Sequence, residues 1–256
     1  MLFSDHPRTI YQNAPAHEVI CQLRFPTILS INNTEPAGFQ EEIRDTFPQY
    51  ARRQDAPPPG AGPDQKPVTN YHFLSEDGRW KLNLTQDFIA LSTLRYPGWE
   101  EFAHYLDRPL AAFIRLYRPA YFQRVGLRYI NIFSRQRLGL EDVPWRELLS
   151  PAYTGPLQEE DAREEDFLNW NCELSLRLGS SCKAKVRGGL GRLQAKNAPQ
   201  AAEVQFILDL DLSMGDNVGC TLAAGALETL HLHGGRVFEG ALSDRLRQAM
   251  DPCDPA

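Results

Sequence analysis

Residues 71–93 read YHFLSEDGRWKLNLTQDFIALST. Tyr71 to Ser75 suits a strand, Glu76 to Arg79 a tight turn, and Trp80, Leu82 and Leu84 one face of a second strand. The Asp77-Gly78 pair supplies the positive φ that such a hairpin needs. Phe88 to Thr93 supplies a third strand. The run predicts an antiparallel meander.

Downstream, Pro97-Gly98 breaks the sheet pattern. Trp99, Phe102, Leu106, Leu110, Phe113, Leu116 and Tyr117 then recur at helical spacing. Pro109 inside this run predicts a kink or a restart, and Pro119 a stop. Tyr121 to Phe133 (YFQRVGLRYINIF) predicts a long strand, apolar on both faces apart from its arginines. Upstream, Val19, Cys21, Leu23 and Phe25 alternate within 17–25, which predicts a strand. Thr34 is placed to cap a helix through Phe39, Ile43 and Phe47 that ends at Pro48. Residues 51–67 (ARRQDAPPPGAGPDQKP) hold five prolines and no apolar period, which predicts an exposed, mobile loop dispensable for folding.

The second half repeats the plan. Residues 171–178, 182–193 and 203–212 read as three strands, and a helix follows over about 221–250. Its expected buried stripe is Leu222, Ala226, Leu230, Val237, Phe238, Leu242 and Leu246, with Gly234-Gly235 as a point of interruption. The expected fold is α+β: two antiparallel βββα-like halves with an N-terminal strand and helix. The expected organisation is a first half over 1–138, an acidic linker over 139–166 with one short helix around Pro144 to Leu149, and a second half over 167–256, folding as one cooperative unit.

At 256 residues and 42% hydrophobic content the chain can build an ordinary core. No apolar run approaches the roughly 18 residues of a membrane span, so no membrane association is expected. The opening MLFSDHPR lacks a basic stretch followed by an apolar one, as a secretory signal would have. Five cysteines (21, 172, 182, 220 and 253) show no Cys-x-x-Cys pair, which speaks against a disulfide framework and a structural zinc and points to a reducing cytoplasm.

Charge is segregated. Between Arg108 and Leu140 there are seven arginines and no lysine or acidic residue; from Glu141 to Asp166 there are nine carboxylates against Arg146 and Arg163. The overall charge of −6 conceals this swing. Arg108 and Arg115, seven apart, share a helix face; Arg124 and Arg128 share a strand face, with Tyr117, Tyr121, Phe122 and Tyr129 interleaved. These four arginines are the anion-binding candidates, since guanidinium forks onto phosphate or carboxylate. The competing reading pairs them with the acidic stretch or lays their stems over apolar surface. A sequence pI near 5.6 disfavours general nucleic-acid binding without excluding it.

Other constellations carry less. Asp209 and Asp211 share a strand face and suit a metal, but Lys183, Lys185 and Arg187 alternate on the preceding strand and predict an ion-pair ladder. His231 and His233, two apart on a helix, point to different sides. Arg187-Gly-Gly-Leu-Gly-Arg192 lacks the Gly-Lys-Ser/Thr ending of a nucleotide loop, and no Gly-x-Ser-x-Gly elbow appears. No catalytic residue, metal or cofactor is assigned.

Three segments carry a family resemblance: Pro15-Ala-His-Glu-Val-Ile-Cys-Gln-Leu-Arg-Phe25; Trp99…Phe102 with Pro119 to Ile132 (including Gly126-Leu-Arg-Tyr-Ile-Asn131); and Leu230 to Met250. The chain resembles, over nearly its whole length, a sporadically distributed family of uncharacterised bacterial proteins of about 250 residues. The resemblance implies a stand-alone bacterial protein encoded in accessory genome regions, and it adds no chemistry. The expected function is a non-catalytic binding or interaction module for a protein partner or an anionic ligand. The alternative is an enzyme or binding protein for a phosphate-bearing ligand that uses the arginine-rich face, and a third is an architectural subunit.

Overall fold

The computed structural model describes residues 2–5, 9–56, 67–192 and 203–253. Along the chain the elements are β1 (Ile10–Tyr11), β2 (Ala16–Arg24), α1 (Ser30–Asn33), α2 (Ala37–Ile43), β3 (Gln49–Asp55), β4 (Val68–Leu74), β5 (Trp80–Leu84), β6 (Phe88–Thr93) and α3 (Trp99–Tyr117). Next come β7 (Arg124–Phe133), α4 (Arg135–Leu138), α5 (Trp145–Leu148), α6 (Pro151–Thr154), β8 (Asn171–Leu178), β9 (Cys182–Gly191) and β10 (Gln205–Met214). The last are α7 (Ala223–Ala241), α8 (Asp244–Ala249) and β11 (Pro252–Cys253). The fold is α+β with a large antiparallel sheet.

Two compact units interleave along the chain. One comprises Glu18–Leu127 and Ser213–Glu228, and the other Met1–His17, Arg128–Leu212 and Thr229–Ala256. We call them the meander unit and the ladder unit. The boundaries expected at 138 and 167 therefore do not coincide with this division.

In the meander unit the strand order is β3-β4-β5-β6-β2, with the start of β7 beyond β2. The expected hairpin is present. Gly78 has φ 67°, and the Asp77 carboxylate accepts from Ser75 Oγ at 2.7 Å and from Arg79 N at 3.0 Å. Register runs Tyr71↔Leu84 and Phe73↔Leu82, then Leu82↔Leu91 and Leu84↔Ile89. That face is covered by helices: Phe39 packs on Phe73, Phe113 on Phe25, and Tyr105 stacks on Trp80 with centroids 4.2 Å apart. α3 runs unbroken through Pro109, which is buried and has no N–H for the carbonyl of Tyr105. Arg118 ends it in the left-handed region, its N–H bonded to Ile114 O.

Two expectations for this unit are corrected. Thr34 closes α1 rather than opening the next helix, which starts at Ala37 after Pro36. The loop expected over 51–67 begins as strand: β3 pairs with β4 from Gln49↔Leu74 to Asp55↔Val68. The apolar alternation is missing because β3 is an edge strand, mostly exposed on both faces. Deleting 51–67 would therefore remove most of β3. Residues 57–66, its proline-rich part, lie outside the described residues.

In the ladder unit the order is β7-β10-β9-β8. Phe206, Leu208, Leu210 and Leu212 of β10 are buried on one face. On the same side of the unit Phe133 stacks on Phe238 of α7, and Gly234 admits Tyr129 and Leu212 against the helix backbone. α7 passes through Gly234-Gly235 and stops at Ala241; Ser243 Oγ then caps α8 by accepting from Leu246 N. The expected stripe holds except at Leu222, which is exposed, and Phe238, which is half-buried. β1 pairs with β11, Ile10↔Cys253 and Tyr11↔Pro252.

The segment expected as an acidic linker is folded. Trp145, Leu148 and Tyr153 are fully buried, and Trp145 packs on Phe206 at 5.7 Å. The Arg135 guanidinium lies over the indole of Trp145 at 4.8 Å and donates to Glu164 at 2.8 Å. The carboxylates of this stretch hid an apolar set between them. Trp145→Ala should cost about 3–5 kcal/mol, measured by urea unfolding of the full chain; a loss below about 1 kcal/mol would show that the segment does not hold the core.

Candidate functional site

The strands carry two different faces. Odd positions of β7 and even positions of β10 face the helices; the opposite face sets Arg124, Arg128, Asp209 and Asp211 among Ile130, Ile132 and Ile207. On that open face of the ladder unit, Asp209 accepts from Arg128 Nε at 2.7 Å and Nη2 at 2.8 Å, and from Arg187 Nη1 at 3.1 Å. Arg187 Nε also donates to Glu173 at 2.8 Å, and Lys185 Nζ stands 2.8 Å from the other Glu173 oxygen. The Asp209 side chain is only 9% exposed, against 39% for Arg128 and 43% for Arg187. Asp209 is thus the desolvated centre of a charge ladder crossing β7, β10, β9 and β8.

The expected ladder is present with altered pairing. Arg187 reaches Asp209 as expected, but Lys185 pairs with Glu173, and Lys183 stands opposite Arg177. Its second partner, Arg128, is one of the four anion-binding candidates; its pairing with Asp209 across β7 and β10 is not visible from local sequence. Hydrogen bonds from Lys185 and then Arg187 hold the Glu173 carboxyl below its ordinary range. Its contribution to stability is therefore complete above the normal carboxylate range and lost as pH falls through the depressed value. Glycines behind the ladder permit close strand approach: a Cβ on Gly189 would lie 2.6 Å from Trp170 O. This accounts for the glycines of 187–192 without a phosphate loop.

Of the four candidate arginines, Arg108, Arg115 and Arg124 belong to the meander unit and Arg128 to the ladder unit. Arg108 pairs with Asp45 at 3.3 Å and Arg115 with Glu42 at 2.7 Å, both at the exposed α2–α3 surface. The Arg124 guanidinium folds back over Gly126 of its own strand, where a Cβ would collide with it. The counter-charges seen at Arg108, Arg115 and Arg128 come from α2, the turn after it and β10, whereas Arg135 pairs with Glu164 of the acidic stretch 141–166.

A different group of cations meets on the open face of the meander unit. Asn70 is 5% exposed; it donates to Asp55 at 2.6 Å and accepts from Asn83 at 3.0 Å, stitching β3, β4 and β5. Beside it His72 stands opposite Asn83 and Ala51. Arg53 and Lys81 lie one diagonal away on the neighbouring strands, within reach of long side chains. The Nε2 of His72 is buried and has no hydrogen-bond partner among the described residues. Burial, then Lys81 and Arg53, lower its pKa, while Asp55 acts in the opposite sense. Sequence reasoning missed this group because Arg53 was assigned to a loop; the alternation Asn70, His72, Leu74 on a strand was the available signal.

Other reactive side chains are engaged or muted. Tyr129 Oη and His231 Nδ1 form a buried pair at 2.8 Å. Glu228 accepts from the Trp99 indole at 2.5 Å. Among the described residues no group of three or more His, Cys, Asp and Glu could hold a metal ion. Burial raises the thiol pKa of Cys21, Cys172, Cys182 and Cys220, which keeps these sulfurs protonated and unreactive. A cleft of about 300 Å³ in the ladder unit is lined by Arg135, Asp142, Arg146, Arg163, Glu164 and Glu165, of mixed sign. Among the described residues no helix is long and apolar enough to cross a membrane.

No protein-family model matches the chain, and no curated protein matches it.

Arg128→Gln should destabilise the protein by about 1–3 kcal/mol, because it leaves a nearly buried carboxylate with one cation instead of two. Asp209→Asn should cost more than Arg128→Gln at neutral pH and should abolish most of the effect of adding Arg128→Gln. A double-mutant cycle in denaturant reads the coupling; additive effects would mean that the ladder is not energetically connected.

Proposed function

We propose that this chain is a non-catalytic binding module that receives an anionic group on the open face of the meander unit, through Arg53, His72 and Lys81. The observation that carries the reading is the buried, unpartnered Nε2 of His72 between two cations. A buried donor left unsatisfied costs about 1–3 kcal/mol. An anion oxygen accepting from Nε2–H removes that cost, and the flanking cations add charge-assisted contacts. The Asp55–Asn70–Asn83 bonds hold the three strands in place, so binding requires only the side chains around His72 to move aside and uncover Nε2.

The reading keeps the wider expectations as proposals: a cytoplasmic bacterial protein related to the family that the sequence resembles, acting on a protein partner's acidic group or a free anion. It also includes an internal βββα repeat. In its support, β4, β5 and β6 neighbour one another in sequence order ahead of a helix of 19 residues, and so do β8, β9 and β10.

The pH dependence has a definite sign. Without an anion the fold favours neutral His72, so its protonation opposes folding and stability falls as pH drops below the ordinary histidine range. A bound anion raises the His72 pKa, so binding takes up a proton and tightens as pH falls from neutrality. Titrating inorganic phosphate while following the His72 ring by NMR should shift its resonances and raise its pKa. Arg53→Gln and Lys81→Gln should each weaken binding about tenfold, the loss of one charge-assisted contact of about 1.5 kcal/mol. A His72 ring unmoved by phosphate at low salt would rule out the site.

A further inference from the structure

Strand β8 ends the ladder unit, and among the described residues it pairs on one side only, with β9. Its eight residues, NCELSLRL, carry no proline, and the edge is not bulged in its register with β9. On its helix-side face Cys172, Leu174 and Leu176 remain half-buried. On the other face Arg177 stands directly opposite Lys183, and neither has a carboxylate partner among the described residues. Like charges facing each other across a ladder are destabilising until an anion arrives.

The strand itself contains that anion. Glu173 lies four residues before Arg177, symmetrically about Ser175. We propose that β8 is a self-complementary edge at which a second copy of this chain adds antiparallel, about a twofold axis at Ser175. In this register Glu173 of each copy meets Arg177 of the other, Leu174 meets Leu176, and Ser175 meets itself. Charge selects it among the alternatives. An axis at Glu173 or at Arg177 places like charges opposite each other. An axis at Leu174 or Leu176 leaves both charges without opposite partners. An axis between two residues places helix-side positions opposite open-face positions. The contact is isologous, so it closes at two copies. Lys185 and Arg187 already hold both Glu173 oxygens at 2.8 Å, but its side chain is 45% exposed, and a carboxylate accepts about four hydrogen bonds. An edge bearing cations alone would repel a second strand; this one is neutral in pairs.

The proposal is independent of the anion site on the meander unit. Sedimentation equilibrium of the full chain over a concentration series tests it. The mass should rise from 29.0 kDa toward twice that value. Arg177→Glu should weaken association at least tenfold, and so should Glu173→Arg. An equimolar mixture of these two variants should recover association to near the wild-type level, since each supplies the charges the other lacks. Circular dichroism checks that each variant folds.

Should Glu173→Arg fail to fold, Ser175→Cys still reads the register. Antiparallel partners sit about 4.5–5.5 Å apart at Cα, within disulfide reach. Mild oxidation should then give a covalent dimer well above the wild-type background. A chain that stays at 29.0 kDa at the highest soluble concentration would overturn the proposal, leaving the edge to solvent or another polypeptide. So would Arg177→Glu associating like the wild type, or Ser175→Cys cross-linking no more than the wild type.

Discussion

A carboxylate removed from water needs opposite charge within reach, and the ladder unit is organised around one. Asp209 is almost fully covered, yet two guanidiniums reach it, one of them through both of its donor positions. Sliding β10 by one residue would turn Asp209 toward the helices and expose Leu208 and Leu210. The pairing therefore fixes which face of β10 is the core, and through Arg187 and Glu173 it carries the same register to β9 and β8. Replacing such a cluster by apolar residues need not destabilise a protein. Its value here is that it permits one arrangement of the strands and opposes the others.

In each unit the helices lie on one side of the strands, and the Asp209 ladder and the His72 group lie on the other. The arginine-rich stretch illustrates the difference between abundance and availability. Arg108 and Arg115 form exposed ion pairs, to the turn after α2 and to α2, that contribute little to stability. Arg128 is committed to Asp209. Arg53 and Lys81, in contrast, flank a histidine whose buried Nε2 has no hydrogen-bond partner among the described residues. A short cluster with an unmet bonding need carries more chemical information than a long run of like charges whose partners are supplied elsewhere.

The parts legible from sequence are those governed by local periodicity. The 71–93 meander, the strand 17–25, the helix from Trp99 and the helix through Leu230 follow from apolar spacing and turn chemistry. The missed parts are those where tertiary surroundings replace the pattern. β3 has no apolar alternation because both of its faces meet solvent. Trp145 and Tyr153 sit among carboxylates, so the apolar rings that fill the core make no periodic pattern there. The Asp209 ladder was half readable: the alternation of Lys185 and Arg187 with apolar residues was visible, but the third strand of the network, carrying Arg128, lies 81 residues away in sequence. The interleaving of the two units is likewise a property of long-range pairing.

The pairing of β1 with β11 has a consequence for biosynthesis. Tyr11 emerges from the ribosome early, but its strand partner Pro252 and its hydrogen-bond acceptor Glu239 are made more than 200 residues later. At translation speeds of roughly 5–20 residues per second, the N-terminal strand waits on the order of 10–50 s for its partners. The ladder unit thus closes only after β11 has been synthesised.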